Sequence, residues 1–189
     1  MKNRAITVLL GFIISAGVTI YNYTGEDVIM PDGTEFSTRD LPEHLSKEYK
    51  NRSLEDSLYI FIHHTASPSS AKIENIARWH VNHNGWPRIA YHSGIKANGD
   101  ILILNDLETL SYHTKGSNTK GISIVLLGNY NEEEITDDQL ESLKILTDGL
   151  CKTLKIKGIM GHRDAPGAHT SCPGDNAYNE LETTLFFEI

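Results

Sequence analysis

The stretch Ile122-Ser123-Ile124-Val125-Leu126-Leu127 is a run of β-branched residues and leucine with almost no polar face. A strand of that composition is buried on both sides, so it belongs in the interior of a sheet that has a layer above it and another below. The rest of the chain supplies those layers. Residues 58–62 read as a short buried strand that stops at His63-His64-Thr65. After Ser67-Pro68-Ser69-Ser70, a plausible helix start, Ile73, Ile76, Ala77 and His80 recur at spacings of three and four and predict an amphipathic helix to about Asn82. Residues 91–96 and 101–104 read as a hairpin turned at Asn98-Gly99. Thr136-Asp137-Asp138-Gln139 is a capping box, after which Leu140, Leu143, Leu146, Leu150 and Leu154 trace one helical face. Residues 156–160 read as the last strand, ending at Gly161-His162. Strands alternating with helices, plus one hairpin, specify an α/β domain with a mixed central β-sheet flanked by α-helices.

That domain is expected to begin near Leu58 and to fill residues 58–189. Residues 23–57 carry Pro31, Asp32-Gly33 and Pro42 without periodicity and read as a linker, or as an N-terminal extension lying on the domain surface. Residues 1–22 open with Met1-Lys2-Asn3-Arg4 and then run apolar from Ala5 to Tyr21, the order of an export signal. The apolar run has about the length of the shortest membrane span, and Ser15-Ala16-Gly17 is a poor cleavage site, so a retained signal-anchor competes with a cleaved leader. The chain is therefore expected outside the cytoplasm: periplasmic, secreted, or tethered to the membrane by this segment. The formal net charge of -8 excludes electrostatic binding of nucleic acid, which needs a basic surface to displace counterions from phosphates. The same charge gives no help in binding anionic wall polymers, so any recognition of them needs a shaped groove. The two cysteines, Cys151 and Cys172, could be joined in an exported protein. Their contexts argue otherwise: Cys151 lies within the helical pattern as a small hydrophobe, and Cys172 lies in a histidine-rich loop.

His63 and His162 each follow a predicted strand, and Cys172 follows His162 in a loop stiffened by Pro166, Gly167 and Pro173. Ends of strands in one sheet can converge. Two imidazoles and a thiolate suit zinc, and three protein ligands leave one tetrahedral position open, as catalytic sites require. His64, His113 and His169 could each supply a fourth ligand and close the site. Taken singly, a histidine at a strand end is more often a hydrogen-bonded core or surface residue, and nine histidines make coincidence easy. The local strings lift the triple above coincidence: Tyr59-Ile60-Phe61-Ile62-His63-His64-Thr65-Ala66, and Gly161-His162-Arg163-Asp164 followed by Thr170-Ser171-Cys172-Pro173-Gly174.

Over roughly 58–174 these strings resemble the type 2 N-acetylmuramoyl-L-alanine amidases, the superfamily that contains phage lysozyme-type amidases and the animal peptidoglycan recognition proteins. Further matches are Trp79-His80, Ala90-Tyr91-His92, Tyr112-His113-Thr114, Gly121-Ile122-Ser123-Ile124 and Gly128-Asn129-Tyr130, in the family's order. The resemblance implies one zinc ion bound by His63, His162 and Cys172, with His64 as a neighbour of the site. It implies hydrolysis of the amide between N-acetylmuramic acid and the first L-alanine of the peptidoglycan stem. Tyr91 matches the tyrosine that the family places beside the metal, whereas by itself it reads equally as a packed strand aromatic. Thr170 stands where some members carry lysine and recognition proteins carry threonine; a hydroxyl offers one hydrogen bond where lysine offers charge. Some members also place a glutamate in the strand occupied here by Ile124-Val125-Leu126-Leu127, and no carboxylate is present. His64, Trp86 and His113 could line a groove for sugar faces and peptide carbonyls. The chain is expected to act as a monomer on peptidoglycan.

Three other functions compete. The same fold serves as a non-catalytic peptidoglycan-binding module, which the intact ligand set disfavours. A zincin-type peptidase would need a His-Glu-x-x-His helix, which the sequence lacks. A nucleophilic Cys172 paired with His162 would need a depressed thiol pKa, and the sequence shows no helix start beside it. Arg163-Asp164 reads as an ion pair or as a contact that orients the ligand loop.

Overall fold

The computed structural model describes residues 41–188, together with the backbone of two short strands, β1 (Val28–Ile29) and β2 (Glu35–Phe36), which pair antiparallel. The expected leader at residues 1–22 lies outside the described residues. No helix among the described residues is long and apolar enough to cross a membrane.

The strand run that constrains the fold is β6 (Gly121–Leu126), buried at every position. On one side it pairs in parallel with β3 (Tyr59–His64), and β3 pairs in parallel with β7 (Gly158–Gly161). On its other side β6 pairs in parallel with β4 (Ser93–Ile95), whose hairpin partner is β5 (Ile101–Ile103). A short antiparallel strand, β8 (Phe187–Glu188), closes the edge beside β7. The order is β5-β4-β6-β3-β7-β8, a parallel centre with an antiparallel strand at each edge. Among the described residues three α-helices cover it: α1 (Ile73–Asn82), α2 (Asp137–Thr153) and α3 (Asp175–Thr184).

Successive side chains of a strand point to opposite faces, so β6 feeds two cores. Ile122, Ile124 and Leu126 join Ile60 and Ile62 of β3 under Leu143, Leu146 and Leu150 of α2 and Ala177 and Leu181 of α3. Val125 and the following Leu127 join Ile73 and Ala77 of α1 with Leu41, Ile89, Leu102 and Leu104. Each fully buried isoleucine or leucine contributes about 2 kcal/mol. The capping box at α2 is present as read: Thr136 Oγ1 accepts from Gln139 N at 3.1 Å, and the Gln139 side chain reaches back to Thr136 N at 3.3 Å.

Several boundaries differ from the sequence reading. β3 runs on through both histidines instead of stopping before them. The start of α1 is at Lys72, with no side-chain cap, and not within Ser67-Pro68-Ser69-Ser70. β7 is not the last strand, because α3 and β8 follow it. The folded body also reaches back beyond Leu58. Leu41 is buried in the α1 core, and Asn51 bridges to Thr109. The buried Arg52 guanidinium donates to Ser57 Oγ at 2.6 Å, Thr119 O at 3.0 Å and Leu107 O at 2.8 Å. Asn51 and Arg52 are thus laced to the loop between β5 and β6. Both cysteines are free thiols.

Candidate metal centre

Alternation along β3 sends Ile60, Ile62 and His64 to the α2 and α3 face and Phe61 and His63 to the other. Ile62 sits opposite Gly161 in the β3 and β7 register, so His63 and His162 occupy the next rung, with ring centroids 4.6 Å apart. The loop that follows brings Cys172 back to them. Arg163 N donates to Cys172 O at 2.9 Å, Cys172 N donates to Thr170 Oγ1 at 3.1 Å, and His64 N donates to Cys172 Sγ at 3.4 Å. Sγ then lies 3.7 Å from His63 Nδ1. The ligand atoms of His63, His162 and Cys172 all lie within 4.8 Å of one another. His63 and Cys172 are buried and His162 is half-buried, which leaves one side of the cluster open to solvent.

Burial holds the His63 imidazole well below its ordinary range and lowers that of His162, so both rings are in the neutral form that binds metals. Burial pushes the Cys172 thiol up to about 12, opposed by the His64 N–H and by the Arg163 charge. Two neutral imidazoles and a thiol that a cation would deprotonate fit a zinc ion well. A divalent cation that binds here must expel the Cys172 proton, since only the thiolate is a ligand. Zinc binding at about pH 7.5 is therefore expected to release about one proton per ion, and its affinity to rise about tenfold per pH unit. The sign follows from the thiol alone, because both imidazoles are already neutral at that pH. Calorimetry in two buffers of different ionisation enthalpy measures the count; release of no proton would mean that Cys172 is not a ligand.

Tyr91 lies just before β4, with its ring centroid 5.3 Å from that of His63. Its carbonyl accepts from Asn105 Nδ2 at 2.6 Å, which fixes the backbone beside the cluster. Burial pushes the Tyr91 hydroxyl up, so it stays an O–H donor. Thr170 is exposed, and its oxygen is used to hold the Cys172 N–H. Trp86 is half-buried, with its ring 4.9 Å from His80 and 6.2 Å from Tyr112.

Two residues expected at a substrate groove are turned inward. His64 is buried on the opposite face of the sheet from His63, where Tyr130 N donates to its Nδ1 at 3.3 Å. His113 is buried too, and both its ring nitrogens are engaged internally, with Thr114 Oγ1 at 2.9 Å and with Gly121 O at 3.2 Å. Arg163 does not pair with Asp164: it pairs with Asp175 at 2.9 Å, stacks over Tyr178 and donates to Ser171 O. Asp164 accepts instead from Gly161 N at 2.8 Å and Tyr178 Oη at 2.9 Å. Arg163 thus still orients the ligand loop, by contacts made with residues downstream. A helix, α3, does start close behind Cys172, contrary to the sequence reading, yet the raised thiol argues against a free nucleophile. Thr114, quoted above only as part of a motif, lies with Oγ1 3.3 Å from His63 Nε2.

The family model for N-acetylmuramoyl-L-alanine amidase matches residues 54–175, a span that holds all three candidate ligands. Peptidoglycan-recognition protein SC2 of Drosophila melanogaster is 33% identical over 135 residues, spanning 66% of this chain and 72% of that protein. The endolysin N-acetylmuramoyl-L-alanine amidase LysCS from Clostridium intestinale superposes with a TM-score of 0.63 at 27% identity, covering 77% of this chain and 96% of its own. Peptidoglycan recognition protein-LE, solved in complex with tracheal cytotoxin, a monomeric diaminopimelic acid-type peptidoglycan, superposes with a TM-score of 0.69 at 26% identity, covering 78% of this chain and 91% of its own. A family match over more than half of the chain, on a fold shared with both kinds of relative, places this protein in the N-acetylmuramoyl-L-alanine amidase family, the superfamily that also contains the peptidoglycan recognition proteins.

Proposed function

We propose that this chain hydrolyses the amide bond between N-acetylmuramic acid and the first L-alanine of the peptidoglycan stem, using one zinc ion held by His63, His162 and Cys172. The observation that carries this reading is the convergence of a complete two-histidine, one-cysteine set beside Tyr91, on a partly open face. Zinc in such a site supplies Lewis acidity and a water acidified to a pKa of about 7. The chain's own residues do the rest. Neutral His63 and His162 offer lone pairs at pH 7 without a prior deprotonation. The N–H of His64 and the Arg163 side chain favour the thiolate of Cys172. Tyr91, kept protonated by its burial, can donate a hydrogen bond to the negative charge that develops on the amide carbonyl oxygen. The leaving alanine amine needs a proton, which Tyr91, Thr170 or a water can deliver. Thr170 shapes the ligand loop through the Cys172 N–H, and its hydroxyl hydrogen remains available to the substrate.

The test is release of new N-terminal L-alanine from purified peptidoglycan, with and without a zinc chelator. Release that the chelator abolishes and added zinc restores supports the amidase. Retention of peptidoglycan with bound zinc but no release would make the chain a recognition module, the use suggested by its likeness to the recognition proteins. In the same assay Tyr91→Phe is expected to lower kcat by about 100-fold with zinc content and KM little changed, the effect of losing one hydrogen-bond donor to a developing oxyanion. An unchanged kcat would remove Tyr91 from the chemistry.

A further inference from the structure

The His63 ring has two nitrogens, and only one of them faces the other metal donors. Nδ1 lies 3.7 Å from Cys172 Sγ, while Nε2 lies 3.3 Å from Thr114 Oγ1. The same hydroxyl is 2.9 Å from His113 Nδ1, and His113 Nε2 is 3.2 Å from the Gly121 carbonyl oxygen. Every group in this chain is buried, and Thr114 is fixed further by its backbone N–H, which donates to Asn118 Oδ1 at 2.6 Å.

The far end of the chain sets its direction. A carbonyl oxygen can only accept, so His113 must carry its hydrogen on Nε2. The ring is buried with uncharged oxygens at both nitrogens and no carboxylate bonded to it among the described residues, so it is neutral, which leaves Nδ1 with a lone pair and nothing to donate. The Thr114 hydroxyl must then give its hydrogen to His113 and turn a lone pair to His63. His63 in turn must carry its hydrogen on Nε2, which leaves Nδ1 bare and aimed at Cys172. The reversed order would set the His113 Nε2 lone pair against the Gly121 carbonyl oxygen, two acceptors with no hydrogen between them.

We propose that Thr114 and His113 are positioning residues for the metal centre: a one-way hydrogen-bond chain anchored on the Gly121 carbonyl fixes His63 in the Nε2–H tautomer and so presents Nδ1 to the ion. The proposal rests on the reading that His63, His162 and Cys172 bind zinc. Neither residue touches the substrate; both act through His63, as outer partners of ligating histidines do elsewhere. The arrangement also gives His113 a role that its inward orientation leaves otherwise unassigned.

The test uses the full chain and two readouts. Nitrogen-15 spectra of the metal-free wild-type protein are expected to show His63 protonated at Nε2 alone; protonation at Nδ1 overturns the proposal whether or not zinc is later shown to bind. Zinc affinity, measured by competition with a chromophoric chelator, is expected to fall about tenfold or more in Thr114→Val, which keeps the shape and loses the hydroxyl. Thr114→Ser, which keeps the hydroxyl, is expected to stay within about threefold of wild type. Equal losses in the valine and serine variants, or none in valine, would reduce Thr114 to a packing residue and overturn the proposal. Should the valine variant fail to fold, the wild-type spectrum and the serine variant still decide. Absence of zinc binding by the wild-type chain would instead strike the metal reading itself.

Discussion

Replacing His162 with alanine is expected to remove the bound zinc and to lower kcat/KM on peptidoglycan by about 1,000-fold or more, with the fold intact. On the proposed amidase reading the size of the effect follows from what a single hydrogen bond cannot replace: the Lewis acid and the acidified water that a bound zinc would supply are lost, whereas Tyr91 would contribute only one donor. Two remaining protein ligands are too few to hold a catalytic zinc tightly. His162 is the ligand to remove first, because it is half-buried and sits in a 3-10 turn just beyond β7, so little core is disturbed. Cys172→Ser is expected to lose zinc as fully, but it alters a buried loop residue that carries three backbone-anchored contacts. Metal analysis and the thermal melt of each metal-free variant separate the two effects. Activity of His162→Ala within tenfold of wild type would show that the cluster is not where the chemistry happens. Cysteine nucleophilic catalysis by Cys172 paired with His162 gives a different signature, with activity that survives chelation and fails in both variants.

Much of the fold was legible because local and global preferences agree. Ile122, Ile124 and Val125 admit only an interior strand, Thr136 and Gln139 mark one helix start, and Leu143, Leu146 and Leu150 fall on the face that meets the sheet. The choice between His63 and His64 was not open to pattern. β3 is buried on both faces, so hydrophobicity does not alternate along it, and only the register with β6 and β7 says which imidazole meets His162. α3 escaped notice because Asp175–Thr184 buries just Ala177 and Leu181, with a mostly polar remainder. The partner of Arg163 escaped for a different reason: consecutive residues of a tight turn point apart, so adjacent Asp164 is out of reach while Asp175, across the ligand loop, is at 2.9 Å. His113 looked like a groove residue because an imidazole suits peptide carbonyls and sugar faces; its burial depends on a carbonyl of β6 that no local window contains. Leu41 and Arg52 belong to the body through contacts with residues far along the chain, again invisible to local composition.

The ligand loop also depends on a close approach of two backbones, and here a single methyl group is expected to act strongly. Gly174, two residues beyond Cys172, has φ +95°, and a Cβ built there would lie 2.4 Å from the Tyr130 carbonyl carbon and 2.8 Å from Asn131 N. Neither side can yield easily. Gly174 N donates to Ser171 O at 2.7 Å, and Asn176 N donates to Tyr130 O at 2.9 Å. Tyr130 is buried, with its hydroxyl 2.9 Å from both Leu127 O and Gln139 Oε1, so that it donates to one of two facing acceptors. Gly174→Ala is therefore expected to destabilise the protein by about 3 kcal/mol or more, and to weaken zinc binding because Cys172 moves with the loop. Gly167→Ala supplies the contrast. Its φ of +77° is also positive, but nothing lies within 4 Å of the added methyl, so about 1 kcal/mol is expected and zinc affinity should not change. Denaturant melts and zinc titrations of the two variants, side by side, test whether the crowded approach at Gly174 makes its loss the larger one. Equal losses in both would mean that the loop accommodates the methyl and that the close approach to Tyr130 does not set the cost.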